Sequence, residues 1–412
     1  MANCRLNIAL PSRYFGWNGG IDFLRHIVNG LQANRENQYQ LKVFLLLPIA
    51  NKIESPTDAL RILKRSLEGT IRKKRPWLAL PKPDYNSSIL DFFNYTYAGE
   101  VEIIYHESSN VGMLRCIKRI NADIILPING SLGNDFQIPW VGYIYDFQHR
   151  YFPNNFDPIE CFNREIGFAT ILRDSKALIV NSEAVKKDIC HFYPWIDPKN
   201  IFNLPFAPHP LAEWFEVLED DLSTKYHLPR KYFLISNQFW IHKDHWTALR
   251  ALNRIAKIDD IALICTGAMS DYRRPCYLEE LKQYIHENGL SEKVRLLGHI
   301  PKREQIEIMK SAVAVIQPTL FEGGPGGGSV YDAISLGVPV ILSDISVNKE
   351  VVAENVHFFS VGNDEELAAQ MIAMIEAKIT RPSQEKLLRM GQDNLSKLGD
   401  RLLEAIEYVR RA

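Results

Sequence analysis

The residues best suited to chemistry fall in four short stretches. The first is Phe321-Glu322-Gly323-Gly324-Pro325-Gly326-Gly327-Gly328-Ser329-Val330-Tyr331-Asp332-Ala333, with five glycines in six positions. Such a run is too floppy for a purely structural connection. It suits backbone N–H groups wrapped around an anion, with Ser329 near the start of the next helix. Glu322 can accept hydrogen bonds from sugar hydroxyls, and Asp332 can hold a ribose diol, as acids do in nucleotide sites. The plainer alternative is a lid loop. The second stretch, Ser236–His245, contains Lys243, whose ammonium can neutralise phosphate. His242 and His245 have the spacing of a metal pair, but no third ligand is near, so capping and packing are expected of them. The third, Tyr145-Asp146-Phe147-Gln148-His149-Arg150-Tyr151-Phe152-Pro153, offers an acid and an imidazole that can contact a sugar or assist proton transfer. Its alternative is a loop whose polar groups cap local backbone. The fourth is Gly19-Gly20, which can bring backbone N–H groups to a ligand at a helix start. It is not GxGxxG, so the dinucleotide fingerprint is missing, and a double glycine also serves as a simple turn.

These stretches are placed by alternating apolar runs and helical patterns, the signature of parallel α/β units. Strands are expected at Leu6–Leu10, Leu41–Leu47, Val101–His106, Asp123–Pro127, Val141–Asp146 and Ala177–Asn181, with Ile201–Phe206 a further short run. Helical spacing starts at Ile21 and again at Glu183–Phe192, behind Ser182 as a plausible N-cap. Ala207-Pro208-His209-Pro210 then breaks the pattern. A second series follows, with strands at Tyr232–Ser236, Ile261–Thr266, Val294–Leu297, Ala312–Gln317, Val338–Ser343 and His357–Val361. Its helices are expected at Asp244–Ile255, Tyr277–Asn288 and Arg303–Lys310, and Asp364–Ala412 is helical almost throughout. The fold class is therefore α/β, with two domains of similar size whose sheets are buried on both faces. Ligands of such sheets bind at the carboxyl ends of the strands, and two facing sheets make a cleft.

Composition narrows the class. The 412 residues carry 48 Lys+Arg against 49 Asp+Glu, 46% hydrophobic and 24% charged, which fits a globular protein and argues against disorder and a dedicated nucleic-acid binder. The opening residues lead into an apolar run too short for a signal peptide, and no run approaches the ~20 residues of a membrane span. The six scattered cysteines form no CxxC pair and read as reduced thiols, so a cytoplasmic protein is expected. One stretch breaks the charge balance: Arg61–Arg75 holds seven basic residues and one acid, with Leu63, Leu67 and Ile71 on one helical face and Trp77 beyond. It can rest on an anionic membrane surface or form a solvated helix face.

With these motifs placed, the chain resembles the family 4 retaining glycosyltransferases (glycosyltransferase group 1), which have the two-Rossmann GT-B fold. The resemblance is sharpest from Tyr232 to Val352, in Val294-Arg295-Leu296-Leu297-Gly298-His299-Ile300-Pro301, Gln317-Pro318-Thr319-Leu320-Phe321-Glu322-Gly323 and Ala333-Ile334-Ser335-Leu336-Gly337-Val338-Pro339-Val340-Ile341. Weaker matches are Gly19-Gly20, Asp146–His149 and Ile179-Val180-Asn181-Ser182-Glu183. The resemblance implies an acceptor domain at 1–207, a nucleotide-sugar domain at 208–387, and closing helices at 388–412 that cross back to the first domain. By position, Lys243 looks like the family's diphosphate-binding Lys, Glu322 like the first acid of its two-Glu motif, and Asp332 stands where the second acid holds the ribose. His149 looks like the histidine near the transferred sugar, with Asp146 in the same loop. Gly19 and Gly20 look like the glycine pair beside the phosphates, and the backbone at His299 and Ile300 would flank the base. Gly323, Gly324, Gly326, Gly327, Gly328 and Ser329 would line the donor site. Two departures stand out. Nine residues, where the family usually has seven, separate the acids, and the second acid is Asp. The Arg before the family Lys is also missing, with Asn237 and Gln238 in its region and Arg273 or Arg274 the replacement, Arg274 being assigned to the donor site.

The implied reaction moves a hexose or deoxyhexose, mannose favoured, from a GDP-, UDP- or dTDP-sugar to a hydroxyl of a glycan or lipid-linked glycan, in assembly of surface polysaccharide such as O-antigen or capsule. The sequence has no Asp-x-Asp triplet, so neither metal nor other cofactor is expected, and no nucleic acid. Two alternatives remain open. One is a sugar-nucleotide 2-epimerase with the same two-domain fold; the other is a non-catalytic partner of a glycosyltransferase.

Overall fold

The computed structural model describes residues 4–11, 18–33, 39–49, 101–107, 110–258 and 260–411. The Arg61–Arg75 stretch, and the membrane contact expected of it, lie outside them.

The first sheet contains β1 (Cys4–Pro11), β2 (Tyr39–Ile49), β3 (Val101–Glu107), β4 (Ile124–Ile128), β5 (Trp140–Tyr143), β6 (Ala177–Val180) and β7 (Ile201–Asn203). Its order is β3-β2-β1-β4-β5-β6-β7, all parallel. The helices of this half are α1 (Asn18–Ala33), α2 (Asn110–Arg119), the single turn α3 (Gln148–Tyr151), α4 (Pro158–Asp174) and α5 (Glu183–Phe192). The second sheet contains β8 (Lys231–Ser236), β9 (Ile261–Thr266), β10 (Val294–Gly298), β11 (Ala314–Gln317), β12 (Val340–Ser343) and β13 (Val356–Phe359). Its order, β10-β9-β8-β11-β12-β13, repeats the first pattern, again all parallel. Around it lie α6 (Leu222–Tyr226), α7 (His245–Arg254), α8 (Tyr277–Glu287), α9 (Lys302–Ser311), α10 (Gly328–Ser335) and α11 (Asp364–Glu376); the long α12 (Gln384–Arg411) follows and returns to the first sheet. In each sheet the winding direction reverses between the first and fourth strands in sequence, β1/β4 and β8/β11. Crevices for ligands open at such switch points.

The central strands are apolar throughout and buried on both faces, as the continuous runs Ile261–Cys265 and Ala314–Ile316 require. One face of the first sheet packs on α1 and on α12, so that Leu24, Ile27 and Leu31 share a core with Leu395, Leu398, Leu402 and Ile406. The last helix therefore completes the first domain's core. It passes the connection between the domains on the way, where Asn394 Nδ2 donates to the Pro208 carbonyl at 2.9 Å.

Three elements depart from the sequence-based expectation. Strand β5 stops at Tyr143, because the Asp146 carboxylate caps the Gln148 N–H at 3.0 Å and turns the chain into α3. Helix α1 begins at Asn18, which puts Gly19-Gly20 in its first turn, where a loop was expected. Helix α4 has apolar residues on several sides; its clear local signal is Asp157, which caps the Ile159 N–H at 2.8 Å, followed by Pro158 at the first helical position.

Because Leu398 is fully buried between α1 and the sheet, Leu398→Ala is expected to lower the unfolding free energy by about 2–5 kcal/mol. A urea-denaturation midpoint unchanged from wild type would show that α12 does not hold the first domain together.

Candidate active site

Two neighbouring strands of the second sheet, β8 and β11, bring the charged residues of the cleft together. Lys243, in the single 3-10 turn after β8, places its Nζ against Glu322 Oε1, beyond the end of β11. The two side chains are only 11% and 10% exposed. Gln317 Nε2 donates to the same Glu322 oxygen at 2.9 Å, and Asn237 Nδ2 donates to Gln317 Oε1 at 2.7 Å. The two loops are further tied by Leu320 N and Thr319 Oγ1, which donate to the His242 carbonyl. A buried ammonium and carboxylate hold each other's charge here. An incoming phosphate would compete with Glu322 for Lys243. Gln317 was missed by sequence reasoning, since a glutamine at the end of an apolar strand has no distinctive signal.

The glycine loop follows at once. A Cβ on Gly323 would lie 2.2 Å from the Tyr145 carbonyl oxygen and 2.9 Å from Asp146 Cβ, so only glycine lets the two domains meet here. Ser182 Oγ of the first domain donates to the Gly323 carbonyl at 3.0 Å. Gly324 abuts Asn181, and Gly326 N donates to Asn348 Oδ1 at 3.0 Å. Gly327, at φ +71°, opens α10 with no side chain capping the helix, and Gly328 and buried Ser329 begin it. This positive helix end lies beside Glu322, whose Cδ is 3.5 Å from where a Gly327 Cβ would stand.

Asp332, one turn into α10, is buried and pairs with Lys302 at 2.5 Å; Lys302 also stands 3.8 Å from Asp22 of α1. Burial pushes the Asp332 carboxyl up, against the pull of Lys302. Burial acts the same way on Asp22, but Lys302 and Arg25 outweigh it and hold that carboxyl low. A cavity of about 220 Å³ lies here, with Gly19, His26, Gly327, Tyr331 and Asp332 in its wall. The glycine pair and the glycine loop thus share one space, with Gly20 buried beside it. Glu322 faces a second cavity of about 600 Å³, with Tyr151, Asp188 and Glu350 around it.

On the first-domain side, Asp146 touches the glycine loop directly, and its carboxylate also accepts from Arg164 Nη1 at 3.4 Å. Burial raises its carboxyl, with Arg164 opposing. His149 is buried, with Phe147, Phe156 and Phe168 around its ring. Its Nε2 lies 2.7 Å from Glu165 Oε1, while Nδ1 is buried without a partner. Burial pulls its pKa down, although Glu165 works the other way. Glu165 was not anticipated, and neither was Glu350, whose two oxygens each accept an N–H from the start of α5, Glu183 and Ala184, at 2.8 Å.

The two candidate arginines are placed differently. Arg274 pairs with Glu280, within two turns of its own chain, at 3.0 Å. Arg273 reaches across the cleft: its guanidinium lies 4.2 Å from the Phe156 ring centre, and Nη1 stands 3.4 Å from Gln148 Oε1. Gln238 sits in the turn between β8 and Lys243, accepting from Trp240 N, and Asn237 N donates to the Thr266 carbonyl. His299 is exposed just past β10, and Ile300 joins the core below it. His242 and His245 are buried packing residues, with His245 stacked on Phe239; the cap of α7 is Asp244. Among the described residues no three His, Cys, Asp or Glu side chains group as a metal site, and no helix is long and apolar enough to cross a membrane.

Residues 221–394 match the family model described as Glycosyl transferases group 1. No curated protein matches the sequence. Among solved structures, a sucrose-phosphate synthase from Thermosynechococcus elongatus is 14% identical with TM-score 0.61, covering 98% of this chain and 96% of its own. A glycosyltransferase from Rickettsia africae is 14% identical with TM-score 0.63, covering 99% of both chains. Anabaena HepE, in complex with UDP and glucose, is 14% identical with TM-score 0.57, covering 98% of both. These likenesses establish the fold as two facing Rossmann-like domains of the GT-B type, with a group 1 domain in the second half.

Burial also sets a pH response. It pulls the imidazoles of His242, His245 and His209 down to about 2, 3 and 4 from the ordinary 6.5. The unfolded chain therefore binds these protons first. The stability is fully present above pH 6.5 and is lost as pH falls from there, down to about 4 for His209, 3 for His245 and 2 for His242. At pH 5 each histidine costs on the order of 2 kcal/mol. The melting temperature is expected to drop between pH 7 and pH 5, and His245→Leu to make that drop smaller; an unchanged slope in the variant would exclude His245 as a source.

Proposed function

We propose that this chain is a retaining, metal-independent glycosyltransferase that uses a nucleoside diphosphate sugar as donor and a glycan or lipid-linked glycan hydroxyl as acceptor. The observation that carries this reading is the buried Lys243–Glu322 pair beside the uncapped start of α10, with Asp146 of the opposite domain against the same loop. Lys243 and the N–H groups opening α10 hold the diphosphate. Once phosphate takes Lys243, Glu322 is free to accept from hydroxyls of the donor sugar. Asp332 holds the ribose in place of its contact with Lys302, and Gly19-Gly20 approach the phosphates from the first domain. His149 and Asp146 face the transferred sugar and acceptor from the first domain, and the backbone at His299–Ile300 flanks the base.

In the reaction the bond between the anomeric carbon and the diphosphate oxygen breaks while the acceptor oxygen bonds to that carbon on the same face. The acceptor proton passes to the departing diphosphate, and nucleoside diphosphate leaves. Negative charge builds on the leaving group, so Lys243 and the helix end stabilise the transition state more than the ground state. Contacts across the cleft exclude water and limit hydrolysis. A hexose or deoxyhexose, mannose first, is the donor sugar, and surface polysaccharide assembly at the inner face of the membrane is the setting. The UDP bound by HepE keeps uridine among the candidate bases alongside guanosine and thymidine.

A thermal-shift screen of GDP-, UDP- and dTDP-sugars identifies the donor, since a bound donor raises the melting temperature by mass action. With that donor, Lys243→Ala and Glu322→Ala are expected to reduce transfer at least 100-fold while keeping the wild-type circular dichroism spectrum. Wild-type rates in both variants would refute the site. EDTA is expected to leave the rate unchanged, and a strict requirement for added divalent ion would overturn the metal-free mechanism.

A further inference from the structure

A groove of about 520 Å³ runs along α4 in the first domain, with Asn129, Tyr145, Glu160, Asn163, Arg164 and Gly167 in its wall. It lies next to the candidate site: Tyr145, in its wall, and Asp146 meet the glycine loop at Gly323, and Arg164 Nη1, also of the wall, contacts Asp146. The second domain touches its edge. The Tyr272 hydroxyl donates to Glu160 at 3.3 Å, and Arg273 lies over Phe156. The groove thus adjoins the candidate site through Tyr145 and Arg164, and the second domain reaches its Glu160 through Tyr272.

Three features describe what it takes. Its cation, Arg164, is already held by Asp146 and by Glu160 at 3.2 Å, and Asp157 adds another carboxylate, so an anionic ligand would meet net negative charge. The amides of Asn129 and Asn163, the carboxylates and the Tyr145 and Phe168 rings suit a neutral, hydroxyl-bearing ring. Gly167 lies inside α4, where glycine weakens a helix. A Cβ there would meet nothing within 4 Å, so packing does not require glycine; its absent side chain keeps the groove open. Along the rim, Ile159, Phe162 and Ile166 are 70%, 64% and 48% exposed, at positions that line up on one helical edge. Ile159 belongs to both groove and rim, which makes polar floor and apolar edge one surface.

Resting on the transferase reading above, we infer that this groove binds the acceptor, and that the acceptor is a neutral glycoside carrying an apolar aglycone. The sugar ring lies in the groove with a hydroxyl toward Asp146, and the aglycone lies along Ile159, Phe162 and Ile166.

The test uses the full chain, with n-octyl and methyl glycosides of glucose, mannose and galactose measured by calorimetry below the micelle concentration. UDP, GDP and dTDP binding is followed in parallel by thermal shift. At least one octyl glycoside is expected to bind tenfold or more tightly than its methyl counterpart, since each methylene seated on apolar surface adds up to about fourfold. Phe162→Ser combined with Ile166→Ser removes that preference. Gly167→Leu fills the groove and abolishes glycoside binding, while the melting temperature stays at or above wild type and nucleotide binding is unchanged. Equal binding of octyl and methyl glycosides, or octyl binding that survives Gly167→Leu, overturns the inference. A dimer of this chain that dissociates in the double variant does so too, because the rim is then a subunit contact. Nucleotide binding with no glycoside binding overturns the groove assignment alone. Octyl-glycoside binding with no nucleotide binding supports the groove and overturns the transferase reading.

Discussion

The cleft depends on burying one ammonium and one carboxylate together. Lys243 and Glu322 each sit about nine-tenths out of water, where a lone charge costs several kcal/mol. Their pairing is possible because β8 and β11 are neighbours at the point where the second sheet reverses direction. Gln317 donates to the carboxylate and Asn237 donates in turn to Gln317, so the pair belongs to a polar network with a defined geometry. Such a pair is also an exchangeable one. On the proposed reading, a donor phosphate would take Lys243 and leave the carboxylate to accept from hydroxyls.

The same logic extends across the two domains. Their apolar cores are separate, one pair of clusters on each sheet. Several contacts that join them at the cleft are polar: Lys302 between Asp22 and Asp332, Glu350 on the first turn of α5, and Ser182 on the Gly323 carbonyl; Phe321 adds ring contacts with Tyr151 and Phe152. Polar contacts of this kind hold a position without locking it. Helix α12 is the exception, since its apolar stripe is part of the first domain's core.

Helix α4 shows how a local irregularity carries meaning. Its buried side anchors Phe168, Ile171 and Leu172 in the core, yet it leaves Ile159, Phe162 and Ile166 in water and a glycine at its centre. A helix selected only for packing would place those residues differently. Glu165 of the same helix holds His149 and also accepts from Arg150 and Tyr193. This contact sets the direction of the ring, while burial among the aromatic side chains favours the uncharged imidazole against the pull of Glu165.

Much of this protein is legible along the chain. The alternation of apolar runs and helical spacing marks strands such as Ile261–Thr266 and helices such as Glu183–Phe192, because periodicity and capping act over a few residues. The glycine run, Lys243 and Asp146 stand out by residue type at strand ends. Contacts between distant residues leave no such trace. Glu350 meets Glu183 across 167 positions, and Lys302 selects Asp22 as well as Asp332. Arg273 and Arg274 are adjacent and chemically identical, yet only Arg273 crosses the cleft, because the direction of each side chain follows from the packed loop. The sequence by itself determined the two parallel sheets and the residue types at their carboxyl ends, since local backbone preference and burial decide those. Only the tertiary structure decided which charges pair, which arginine faces the site and where α4 leaves a groove, since those depend on atoms far apart in the chain meeting in a low-dielectric space.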